Sequence, residues 1–107
     1  MPDQINQGDP RREGAPLDIS AEITEALASE DSYGAKREIM RSDRVRNAPS
    51  LTITLDYTTL ADARWVKAFL QQGRGQDRKA WIRATEAQHA EAANEFGSGI
   101  EWIKVEE

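Results

Sequence analysis

Residues 51–65 read LTITLDYTTLADARW. Leu51, Ile53, Leu55 and Tyr57 alternate with Thr52, Thr54 and Asp56. That period-2 pattern, built from good strand formers, predicts a strand with one apolar and one polar face. A strand of this kind is covered on one side only. Thr59-x-x-Asp62 then has the form of a capping box, the start signal of a helix. The helix offers Leu60, Ala63, Val66, Phe69 and Leu70 to a core. Gly73 is expected to end it, in the place where a left-handed residue is needed. Strand–helix junctions of this sort hold the ligands of many α/β proteins. Here no glycine opens the backbone at the turn and no nucleophile stands there. Thr59 and Asp62 are accounted for by the helix's own unpaired N–H groups. Asp56 and Asp62 read as a polar strand position and a cap, not as a catalytic or metal-binding pair.

Upstream, Ile19, Ile23 and Leu27 recur at i, i+4 and i+8 and predict a helix from Leu17 onward. Asp18 or Ser20 could cap it, and Glu22 and Glu25 suit the positive end of its dipole. Gly34 is expected to break the chain before a second helix over 35–46, anchored by Ile39, Met40 and Val45. Asn47-Ala48-Pro49 stops that helix, because proline disfavours helical geometry in the residue before it. Residues 1–16 carry Pro2, Pro10, Pro16, Gly8 and Gly14 and almost no apolar side chain. A segment with so little to bury cannot offset its ordering entropy, which predicts a flexible arm.

Downstream, residues 79–96 admit two readings. One long helix would put Trp81, Thr85, His89, Ala92 and Phe96 on one stripe. Alternatively a short strand precedes a helix in which Thr85-x-x-Gln88 repeats the grammar of Thr59-x-x-Asp62. The second explains why a threonine interrupts there and is preferred. Gly97-Ser98-Gly99 turns the chain into a last strand, Ile100–Val105. The fold class is α+β, with a two- or three-stranded sheet packed by helices. Its parts are a flexible arm over 1–16, a helical segment over 17–46 and a small α+β domain over 47–107. A chain of 107 residues makes these one domain overall.

Charge and composition narrow the function classes. The net charge is −5, from 14 bases and 19 acids, and it is arranged in blocks. Asp18, Glu22, Glu25, Glu30 and Asp31 stand without a base between them, whereas Lys36, Arg37, Arg41, Arg44 and Arg46 face only Glu38 and Asp43. The C-terminal segment 84–107 is acidic again. Alternating blocks fit segments that meet one another or meet charged neighbours, not a uniform nucleic-acid surface. Arg37, Arg41 and Arg44, at i, i+4 and i+7, form a candidate interface row. The row suits a neighbouring subunit or the acidic helix better than a phosphate backbone. Of the tryptophans, Trp81 and Trp102 read as core, while Trp65, at the edge of its helical stripe, is a candidate partner contact.

No catalytic, cofactor or metal site emerges. The chain has no cysteine and one histidine, so zinc ligation lacks its ligands. His89 has no orienting partner in the sequence and reads as an ordinary half-buried side chain. Gly73–Lys79 is glycine-rich and basic, but it follows a helix and lacks the serine or threonine of a phosphate loop. No apolar run reaches the ~18 residues that span a bilayer. Met1–Gly14 has no apolar region of the signal-peptide kind. The expectations are no membrane, no cofactor, no small-molecule substrate and a location in the cytoplasm of a host cell or in a virion.

One resemblance adds a direction. The run Arg46-Asn-Ala-Pro-Ser-Leu-Thr-Ile-Thr-Leu-Asp-Tyr57, then Leu60-Ala-Asp62, Val66-Lys-Ala-Phe69-Leu70 and Gly73-Arg-Gly75, resembles a segment of tail-tip and tail-hub proteins of long-tailed phages. In those proteins a strand after an arginine-rich lead precedes a helix that ends in a Phe-rich turn and glycine. A second aromatic strand follows, here Ala80-Trp81-Ile82. The match covers residues 46–82. A single Phe stands where two aromatics are common, and the acidic–aromatic end of the second strand is missing. The resemblance implies a non-enzymatic virion component that contacts other protein subunits, as a homo- or hetero-oligomer. The alternative is a small acidic module that inhibits or neutralises another macromolecule, such as a toxin, nuclease or host-defence complex.

Overall fold

A computed structural model of the chain describes residues 16–73 and 75–107. The arm expected over 1–16 lies outside the described residues but for Pro16. The elements run β1 (Leu17–Asp18), α1 (Ser20–Ala28), α2 (Ser32–Arg41), α3 (Asp43–Asn47), β2 (Ser50–Asp56), α4 (Leu60–Gln71), β3 (Asp77–Ala84), α5 (Glu86–Ala92) and β4 (Ile100–Lys104). A short 3₁₀ turn, Ala93–Glu95, follows α5.

The chain is α+β, as its sequence implies, but among the described residues the sheet has four strands and not two or three, in the order β1-β2-β3-β4. All neighbours are parallel. The extra strand is β1, two residues that pair Leu17 with Leu51 and Asp18 with Thr52. Two residues are too few for any periodicity to show, so the apolar Leu17 merges with the helical stripe that follows.

Each crossover returns to the adjacent strand. Right-handed crossovers in that order place every helix on the same side of the sheet. The burial agrees. Leu51, Ile53, Leu55, Ala80, Ile82 and Ile100 share one buried cluster with Ile19 and Ile23 of α1, Val45 of α3, and Val66, Phe69 and Leu70 of α4. The segments 17–46 and 47–107 thus build a single core. Each fully buried Leu, Ile, Val or Phe contributes about 1.5–3 kcal/mol of apolar transfer.

Caps and glycines refine the helices. Gly34 does not break the chain but lies within α2, where its N–H donates to Asp31 Oδ1 at 3.0 Å. The break comes later, at Ser42, whose extended backbone (φ −66°, ψ 124°) separates α2 from α3 and whose hydroxyl caps α3. Of the two readings of 79–96, the strand followed by a helix is the one adopted. Thr85 and Gln88 form the complete reciprocal capping box. Gly73 is not the left-handed residue; that role falls to Gly75 at φ 70°. Gly73 instead gives room, since a Cβ there would collide with the Arg78 side chain at Nε and Cδ. Arg78 cannot easily yield. Its Nη1 donates to the Phe69 carbonyl at 2.6 Å, and its guanidinium stacks over the Phe69 ring at 4.3 Å. Burial holds the Arg78 pKa below the usual arginine value.

Candidate functional site

The strand–helix junction quoted above occupies the carboxyl end of β2. Asp56 closes the strand, Tyr57-Thr58-Thr59 turns, and α4 begins at Leu60. Thr59 Oγ1 accepts the Asp62 amide at 3.0 Å, which is half of the expected capping box. The other half is absent, because Asp62 turns its carboxylate to the Thr58 hydroxyl. Lys36 Nζ on α2 stands 3.9 Å from the other oxygen of Asp62. Asp56 Oδ1 accepts from Arg83 Nε of β3 at 2.6 Å. Between Asp62 and the Asp56–Arg83 pair lies a hollow of about 540 Å³, walled further by Thr24, Leu27 and Ala28 of α1 and by Leu55.

Tyr57 leaves the junction in the other direction, and its hydroxyl donates to Glu91 on α5. Desolvation, with the Glu91 carboxylate as acceptor and neighbouring charge and Asp62 as a further charge, pushes the phenol up to about 12. An ionised Tyr57 would lose its hydrogen bond to Glu91 and face that carboxylate's charge, so it stays a donor.

The four residues read as candidate contacts do not gather on one helix face. Arg37 and Arg41 are exposed on α2, with Arg37 over the Tyr33 ring at 5.5 Å. Arg44 lies on α3, beyond the break at Ser42, and its Nη1 pairs with Glu22 Oε2 of α1 at 2.6 Å. The basic block therefore does meet the acidic helix, through this one residue. Trp65 is half-buried on α4, stacked on Phe69 at 5.3 Å with Lys36 Nζ 5.2 Å from its ring.

His89 lies in an aromatic group, stacked on Trp102 at 3.8 Å and tilted against Phe96 at 5.1 Å. The Trp102 indole N–H donates to the Ala84 carbonyl at 3.0 Å. The glycine-rich loop before β3 is used internally, since Gln76 Nε2 donates to the Val45 carbonyl at 2.8 Å and to that of Ala48. Among the described residues no group of three or more His, Asp or Glu side chains is placed to hold a metal. No helix among them is long and apolar enough to cross a membrane.

One surface was missed by the reading of residues alone. The register sets Thr54, Trp81 and Glu101 side by side, and above them Asp56, Arg83 and Ile103, on the sheet face away from the core. None of these side chains is buried, and Ile103 is 38% exposed. Trp81, read as core, belongs to this face. The signal was the alternation of Lys79, Trp81 and Arg83 with Ala80, Ile82 and Ala84, which has meaning only once the segment is a strand.

Among the described residues these features define an α+β domain with a parallel sheet covered by helices on one face. Compared with protein-family models, with curated proteins and with solved structures, the chain has no match.

Proposed function

We propose that this chain is a non-enzymatic assembly protein whose sheet docks on another protein subunit, of the virion-component kind that the phage-tail resemblance implies. The observation that carries the reading is the one-sided sheet. Parallel sheets occur almost only with both faces covered. Here the second face presents Trp81 and Ile103 among Thr52, Thr54, Lys79 and Arg83. An aromatic anchor ringed by polar groups is the composition of a protein interface. The experiment is light scattering and cross-linking of the purified chain, alone and with co-expressed sister subunits. Association is expected, and Trp81→Glu with Ile103→Lys should abolish it without lowering thermal stability. A wild-type chain that stays monomeric and binds no sister subunit would overturn the reading.

A second reading has one observation in its favour. The groove between α1 and α2, about 310 Å³, sets Glu22, Glu25 and Glu38 around a floor of Ala26, Ala35 and Ile39. An acidic groove of this kind suits a basic partner, as the neutralising module requires. Under this reading Glu25→Lys with Glu38→Lys abolishes a one-to-one complex that Trp81→Glu leaves intact.

A further inference from the structure

The hollow at the carboxyl end of β2 and β3 meets the open face at Asp56 and Arg83, takes its other walls from α1 and the turn into α4, and does not include Trp81 or Ile103. We propose that it is a binding site for a small zwitterion of the amino-acid class with an apolar side chain, which is bound and not converted.

Three observations lead there. The first is position: the hollow lies at the carboxyl end of β2 and β3, where the turn into α4 and the last turn of α1 converge. The second is size. The volume of about 540 Å³ lies within the range of small-molecule pockets, roughly 300–1,000 Å³.

The third is chemistry, and it selects the ligand. Arg83 is held on Asp56 by its inner nitrogen, Nε. Its two terminal nitrogens make no hydrogen bond among the described residues, which leaves the planar fork that carboxylates accept best. Asp56 uses one oxygen for Arg83, and its side chain is 76% exposed, so the second oxygen can accept from an ammonium group. Asp62, steadied by Thr58 and by Lys36, adds a second carboxylate on the α4 side. Leu27, Ala28 and Leu55 line the remainder with aliphatic surface.

A simple anion would face Asp56 and Asp62, and a simple cation would face Arg83. Because Asp56 and Arg83 already pair with each other, a ligand of one sign is attracted by one of them and repelled by the other. A zwitterion answers both signs, with its carboxylate on Arg83 and its ammonium on Asp56 or Asp62. The side chain then lies along Leu27 and Leu55.

The test is an amide-resolved NMR titration of the full chain with leucine, N-acetyl-leucine and leucinamide. Leucine is expected to give saturable shifts at Ala28, Asp56, Thr58, Asp62 and Arg83. Removing either ligand charge should weaken binding by about tenfold, the loss of a charge-assisted hydrogen bond between ligand and site. Arg83→Gln and Asp56→Asn should weaken leucine by about the same factor, whereas Asp77→Asn, at the amino end of β3, should not. The same spectra report whether each variant is folded, and the analogue series needs no variant. The proposal is overturned if leucine gives no saturable shift, if either analogue binds as tightly, or if Arg83→Gln has no effect.

Discussion

Ser20 Oγ accepts the backbone N–H of Thr54 at 2.8 Å, across thirty-four positions of sequence. The pairing continues the β1–β2 ladder by one rung after the backbone has left it. Ile19 still donates its amide to the Thr52 carbonyl at 3.2 Å. At Ser20 the chain turns into α1, and a side chain takes over as acceptor. A strand of two residues is sufficient here because this hydroxyl completes its bonding.

Replacing Ser20 by alanine leaves the Thr54 amide, in a half-buried stretch of β2, without its acceptor. We expect a loss of about 1–3 kcal/mol, read by urea denaturation, and faster hydrogen exchange at Thr54. Ser20→Thr keeps the hydroxyl and should recover most of it.

The same serine holds Asp18, whose carboxylate accepts from the Ser20 hydroxyl and amide, the latter at 2.9 Å. These two hydrogen bonds, the side-chain one first, keep its pKa below the usual aspartate value. A carboxyl lowered on folding stabilises the protein above its unfolded pKa and loses that contribution as pH falls through the folded value. Asp18→Asn should therefore flatten part of the stability decline below about pH 4, measured by thermal melts over an acid series. An unchanged decline would exclude Asp18 as a contributor.

Thr85 and Gln88 make the complete capping box of α5, with Thr85 N donating to Gln88 Oε1 at 2.9 Å and Gln88 N to Thr85 Oγ1 at 3.2 Å. Thr85→Ala should cost about 0.5–2 kcal/mol. It should also loosen His89, one turn into that helix, from Trp102 on β4, and so shift tryptophan fluorescence. Thr85→Ser should behave as wild type.

Tyr57 titrates late. Its pKa is raised from 10.0 to about 12, so the folded state favours the protonated phenol. This stabilisation is complete below the unfolded value and is lost as pH rises through the folded one. In a Tyr33→Phe background the phenolate absorbance reports Tyr57 alone and should rise late. Glu91→Gln should bring that titration to lower pH. If Glu91→Gln leaves the curve in place, the hydrogen bond to Glu91 is not a cause.

Much of this fold was legible because its signals are local. The alternation of Leu51, Ile53 and Leu55 with threonines, the threonine caps at 59 and 85, and the stripe of Ala63, Val66, Phe69 and Leu70 each act within a few residues. Local sterics and unpaired N–H groups enforce them wherever the chain goes. Other features needed partners distant in sequence. The strand at Leu17–Asp18 exists through Leu51, Thr52 and Thr54. The arginine row over 37–44 reads as one face until Ser42 takes an extended backbone and hands Arg44 to Glu22. Gly73 looked like a helix stop, but its requirement comes from Arg78 packed over Phe69.

The site divides in the same way. Thr59 and Asp62 could be assigned to the start of α4 from their spacing alone, and that assignment holds for Thr59. Asp56 was a polar strand position with no stated partner, and Arg83 was unremarked. Only the parallel register, which sets them side by side, makes them an ion pair at the rim of a hollow. The sequence alone determined the starts of α4 and α5, the two faces of β2 and the absence of thiol chemistry, because those depend on neighbours along the chain. The tertiary structure decided the strand count, the open face with Trp81 and the hollow, because each depends on which strand lies beside which.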